Sequence, residues 1–125
     1  MMQSIIWRIH PILARILLIG LLLQLYLAGA PMFGATSFAP HRMLGTALIV
    51  GAILLLVLGL AGRIGRQRIG LSILLVFLII VQAALPSLRG TISWIAALHS
   101  VNALALMGVT ATIARSGRAE VAQAN

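Results

Sequence analysis

The chain has no lysine, no aspartate and no cysteine, and its only carboxylate side chain is Glu120. Each absence closes a class of function. Without paired carboxylates there is no acid–base couple, and the Asp/Glu relays that carry protons through membrane pumps are missing. Without thiols there are no disulfides, zinc–thiolate sites or iron–sulfur clusters, and cysteine reports nothing about redox compartment. Charge is scarce as well, at 8% of 125 residues, nearly all of it arginine. What is abundant is apolar: hydrophobic residues are 62% of the chain and the mean hydropathy is +1.15. A soluble domain is about half apolar, so this composition excludes one.

The net charge of +8 raises the question of nucleic acid. A nucleic-acid binder needs a basic face on a soluble scaffold. Here the arginines cluster at the ends of apolar runs, as membrane proteins arrange them to set orientation. The expected partner is the lipid bilayer, with no nucleic acid.

A helix needs about 20 apolar residues to cross a bilayer. Four runs qualify, at about 11–30, 37–61, 69–87 and 91–114, within a unit covering 1–115. Pro11 suits the start of the first, where its missing N–H would lack a partner anyway. Ser37 can cap the second, with Pro40 in its first turn. Gly59-x-x-Gly62 and Gly65 read as its termination, and Pro86 and Gly90 bracket the third turn. An arginine-containing start and the Ala28-Gly29-Ala30 end resemble a cleaved leader. A cut after Ala30 would leave Pro31 at the scissile bond, so the run is read as a span. Residues 116–125 read as a short, polar, disordered cytoplasmic tail.

Arginine counting gives direction. Arg8, Arg15, Arg63, Arg66, Arg68, Arg115 and Arg118 fall on one side, and only Arg42 and Arg89 on the other. Positive charge gathers in the cytoplasm, so both termini are expected there.

A spacing recurs within the spans. Gln24 precedes His41 by 17 positions and Gln82 precedes His99 by the same 17, and the two pairs lie 58 residues apart. The same shift aligns Arg8 with Arg66, Leu17 with Leu75, Leu27 with Leu85, Ala39 with Ala97 and Leu48 with Leu106. Leucine and alanine matches come cheaply here, but arginine, glutamine and histidine are rare in this chain. A period of this size marks a structural repeat. Each copy is a helical hairpin crossing in the same direction, so an axis along the membrane normal should relate them. The expected fold is all-α: an integral membrane four-helix bundle built from two tandem hairpins, with the second and fourth helices facing each other.

Polar residues inside a bilayer are costly and default to a functional hypothesis. Two imidazoles on facing helices form the ligand set of a six-coordinate b-type haem, with His41 and His99 on the iron. Gly45 and Ala103, one turn below the histidines, would leave room for a flat macrocycle. Arg42 and Arg89 are placed to pair with propionates, because guanidinium matches carboxylate geometry. Gln24 and Gln82 could orient the imidazoles as acceptors. Two other readings stay open: helix–helix hydrogen bonding without a cofactor, and a bare copper or zinc ion, although zinc normally takes three or four ligands. His10, Trp7, Tyr26 and Trp94 read as residues of the membrane–water interface. Asn102 reads as a cross-helix hydrogen bonder.

The stretch His41-Arg42-Met43-Leu44-Gly45 resembles the His-Arg start of a haem-binding helix in haem A synthase. The segment from Gln82 to Ala105, with Ala96-Ala97-Leu98-His99, is similar to that family's matching helix pair. The resemblance covers nearly the whole chain and implies one of that family's two four-helix halves. The chain also resembles a group of small, uncharacterised four-helix bacterial membrane proteins. Haem A synthases place a glutamate one turn before a histidine of the catalytic half; here Ser37 stands there and no span holds a carboxylate. The resemblance therefore implies haem binding by His41 and His99 without haem hydroxylation. Whether any reaction is catalysed stays open. The expected role is electron transfer or haem handling, as a small subunit of a larger membrane complex, with a quinone or a membrane protein as redox partner. The competing expectation is a cofactor-free accessory or assembly subunit. A small transporter is disfavoured by the missing intramembrane charges.

Overall fold

A computed structural model describes residues 2–123, with the side chains of residues 2–116. The chain forms α1 (Met2–Gly29), α2 (Ala39–Ala61), α3 (Arg66–Ala84) and α4 (Ser93–Gln123), with no strand among the described residues. All four helices are long and apolar enough to cross a membrane. A helix satisfies its own backbone, which is why apolar chain in lipid takes this form.

The connections follow from their turn residues. A short 3₁₀ helix, Ala30–Phe33, ends at Gly34 in the left-handed region (φ 72°), whose N–H bonds the Pro31 carbonyl. The Ser37 hydroxyl accepts from the Ala39 N–H at 3.2 Å at the entrance to α2, with Pro40 in the first turn. Between α2 and α3, Arg63 (φ 49°) and Gly65 (φ 96°) reverse the chain within four residues' reach. A second 3₁₀ helix, Leu85–Gly90, carries α3 into α4.

Two ends differ from the sequence-based expectation. Pro11 does not start α1 but lies inside it, the helix beginning nine residues earlier at Met2. The early turns persist because they have tertiary partners. Trp7 Nε1 donates to the Gly62 carbonyl at 3.0 Å, and Ile6 is buried against Gly62. These contacts offset the backbone bond that a mid-helix proline removes. At the other end, α4 runs past the expected boundary to Gln123 instead of giving way to a disordered tail. Ala119, Glu120, Ala122 and Gln123 are good helix formers. The rest of the expected tail, residues 124–125, lies outside the described residues.

The helices form a closed ring in which each packs against its two neighbours, α1 against α2 and α4, and α3 against α2 and α4. α2 and α4 are thus diagonal, as are α1 and α3. Burial repeats with the 58-residue shift. Ile6 and Ile64, His10 and Arg68, Ala14 and Ser72, Leu17 and Leu75, and Leu21 and Ile79 are buried as pairs. So are Leu48 and Leu106, Ala52 and Thr110, and Leu55 and Ile113. From 41 to 50 and from 99 to 108 the pattern of exposure matches position for position. Two core hydroxyls are satisfied within their own helices: Ser72 donates to the Arg68 carbonyl at 2.9 Å and Thr110 to the Leu106 carbonyl at 2.7 Å. The outward-facing leucines and isoleucines suit a lipid surround.

Lipid is as apolar as leucine, so helix association in a membrane relies on close packing rather than the hydrophobic effect. The first hairpin achieves this with reciprocal knobs. A Cβ on Gly51 would come within 2.6 Å of Leu17 Cδ2, and one on Gly20 within 2.7 Å of Leu48 Cδ2. Gly59 and Gly62 do more than terminate α2, since they let His10, Ile64 and Ile6 approach its backbone. We expect Gly51→Val to overpack the α1–α2 seam and cost about 1–3 kcal/mol, read as a lower thermal midpoint by circular dichroism in detergent.

A histidine-lined cavity as candidate functional site

The hairpin design brings the four rare polar residues to one level. His41 lies in the first turn of α2 and Gln24 five residues before the end of α1, so the tight connection sets them side by side. His99 and Gln82 are placed likewise on α4 and α3. Because α2 and α4 are diagonal, the histidine side chains reach toward each other across the bundle. Their ring centroids are 6.3 Å apart with planes inclined by 60°. Phe38, one turn before His41, meets that ring edge-on at 6.4 Å.

A cavity of about 730 Å³ opens around the pair. Its lining includes His41, His99, Gln24, Gln82, Arg42, Arg89, Gly45 and Ala103. All eight residues singled out from the sequence therefore come together. Leu21, Ile79, Leu48 and Leu106 also line it, two repeat pairs that close it toward the bundle core. Ligand pockets commonly enclose about 300–1,000 Å³ of mostly apolar surface with a few polar groups.

The hydrogen bonds define each imidazole. His41 Nδ1 lies 3.1 Å from the Gln24 carbonyl and His99 Nδ1 lies 3.0 Å from the Gln82 carbonyl. A carbonyl only accepts, so both Nδ1 atoms carry the proton and both Nε2 atoms present a lone pair. The glutamines thus orient the histidines as acceptors, through their backbone oxygens. Their side chains do different things in the two hairpins. Gln24 Nε2 donates to the His41 carbonyl at 2.8 Å. Gln82 Nε2 sits 3.2 Å from His99 Nε2 and donates to that lone pair. Asn102, which the sequence suggested only as a generic cross-helix bonder, holds Gln82: its Nδ2 donates to Gln82 Oε1 at 2.7 Å and to the Leu78 carbonyl at 2.9 Å. Phe38 was not anticipated. Its signal was its place three residues before His41, on the same helix face.

The opposite end of the bundle holds a second polar group. His10 was expected at the membrane–water interface; instead it is fully buried (0% exposed) with Nε2 3.5 Å from Ser72 Oγ. Trp7 stays partly exposed (37%), with its Nε1 bonded to Gly62 and the Arg68 guanidinium 5.0 Å from its ring centroid. Tyr26 and Trp94, by contrast, are well exposed. The available signal for His10 was the 58-residue shift, which pairs it with Arg68.

The fold and the cavity define a multi-pass membrane protein: a duplicated four-helix bundle with a paired histidine site at one end. Residues 24–91, just over half the chain, match the Family of unknown function (DUF6220), and the chain belongs to that family. The matched stretch contains Gln24, His41, Gly45, Gln82 and Arg89. No curated protein and no solved structure matches the chain.

Gly45 has a role beyond leaving space. A Cβ there would lie 2.9 Å from Gln24 Nε2. Gly45→Ala should push the Gln24 amide off the His41 carbonyl, costing about 1 kcal/mol; thermal unfolding of the purified variant against wild type measures it.

Proposed function

We propose that the protein binds one b-type haem between His41 and His99 and serves electron transfer or haem handling, as a small subunit of a larger membrane complex. The observation that carries this reading is the histidine pair itself. Two nitrogens about 2.0 Å from a shared metal put ring centres about 6 Å apart, against 6.3 Å here. The tautomers also suit ligation, since metal-binding histidines donate their other N–H to a carbonyl or carboxylate. The cavity has the volume for a large planar ligand and an apolar inner wall. Arg42 and Arg89 on its lining would bind propionates, and the small residues Gly45 and Ala103 on the same lining would leave room for the macrocycle. A haem here would supply one-electron chemistry. Its partner would be a quinone in the bilayer or a neighbouring membrane protein.

Among the described residues, no cluster of three or more His, Cys, Asp or Glu side chains forms. The two histidines by themselves are fewer ligands than the three or four that zinc sites use. The second reading is a cofactor-free accessory or assembly subunit. One observation favours it: each histidine is already hydrogen-bonded within its own hairpin, as polar residues that join membrane helices are. Arginine distribution supports an orientation with both termini in the cytoplasm and the cavity toward the outer face, and the resemblance to bacterial membrane proteins supports an inner-membrane location.

Purification after expression with ample haem separates the readings. The expected product is coloured, with the sharp visible bands of reduced bis-histidine haem, and His41→Ala and His99→Ala each lose them. A colourless wild type overturns the haem reading in favour of the accessory subunit. Orientation is checked separately, because the chain lacks cysteine. In intact cells a membrane-impermeant thiol reagent should label Ser87→Cys and spare Arg63→Cys.

A further inference from the structure

The two halves of the cavity are built from the same positions but are not chemically alike. Around His41 no hydrogen bond reaches Nε2 among the described residues, and the Gln24 amide turns away to the His41 carbonyl. Around His99 the Gln82 amide covers Nε2 at 3.2 Å and is held there by Asn102 at 2.7 Å. Two substitutions within the repeat account for the difference. The 58-residue shift pairs Asn102 with Leu44, so the first hairpin has no amide to hold its glutamine's side-chain oxygen. It also pairs Ala103 with Gly45, and the Gln24 amide occupies the space where a Cβ on Gly45 would lie. The methyl of Ala103 fills the equivalent space in the second hairpin.

We infer that Asn102 and Gln82 form a latch on His99, making His41 the standing ligand of the site and His99 a conditional one. This rests on the reading of the pair as a ligand set. A lone pair that accepts the Gln82 N–H cannot also be given to a metal, so ligation by His99 requires the amide to rotate off. Asn102 opposes that rotation, with bonds to both Gln82 Oε1 and the Leu78 carbonyl. Nothing comparable restrains His41. The site is thus arranged to hold a haem firmly through His41, while the bond from His99, formed once the amide turns away, is the one that yields to a small ligand.

Two measurements test the latch. In the haem-free protein, diethylpyrocarbonate attacks the imidazole lone pair, and peptide mapping reports each histidine. His41 should react about tenfold faster than His99, the worth of one hydrogen bond. Asn102→Leu, which copies the residue of the first hairpin, and Gln82→Leu should bring His99 to the rate of His41. Equal rates in the wild type, or no change in either variant, overturn the latch. In the haem-loaded, reduced protein, carbon monoxide should bind the wild type readily and Asn102→Leu at least several-fold more slowly. Indistinguishable carbon monoxide binding in the two also overturns it. A protein that takes up no haem defeats the proposed function, while the haem-free reactivity still decides the latch.

Discussion

Where two hairpins are related by an axis along the membrane normal, any side chain that reaches the axis meets its own counterpart from the other copy. That constraint organises the whole molecule. In the middle it sets like against like, with Leu21 and Ile79, Leu48 and Leu106, and Leu17 and Leu75 buried as pairs. Apolar pairs tolerate this well, since packing has no sign. Polar pairs do not, and the two ends of the bundle handle the problem differently.

At the end that carries the short hairpin connections, the counterparts remain identical. Two histidines 6.3 Å apart can coexist because each has its Nδ1 proton on a carbonyl of its own hairpin. The two rings then line one cavity, with the His99 lone pair covered by the Gln82 amide. At the opposite end the counterparts have diverged into His10 and Arg68. Two arginines there would bury like charges together, at a cost of several kcal/mol. An imidazole beside one arginine, with that arginine stacked on Trp7, avoids it. The divergence is local: Leu44 against Asn102 and Gly45 against Ala103 suffice to make one half of the cavity open and the other latched, with no change in the helix frame.

Much of this architecture is legible before any coordinates. The four spans, the duplication and the eight cavity residues follow from run lengths, from rare residues at a fixed shift, and from helical spacing below each histidine. Helix ends are less legible. Pro11 looks like a start because local chemistry favours it there, yet the helix extends to Met2 through the docking of Ile6 and Trp7 on Gly62. The burial of His10 was hidden for a similar reason. A histidine near arginines at the edge of an apolar run has the composition of an interface, and only the facing helices show that it points inward. The glutamines' place beside the histidines is legible from the spacing, but that their backbone carbonyls receive the imidazole protons is not.

By itself the amino-acid order determined a bilayer-spanning, all-helical, duplicated bundle, since hydrophobic length and rare-residue spacing are properties of the chain that no folding partner can alter. It also determined which residues share a depth, because short connections leave little freedom of register between consecutive helices. Tertiary structure decided what cannot be read along one dimension. The ring order makes α2 and α4 diagonal, so that the histidines meet side chain to side chain across a cavity rather than through touching backbones. It also decided which lone pair is free and which is covered. That depends on a single methyl at Ala103 and a single amide at Asn102 acting on neighbours that lie 20 or more positions away in the chain.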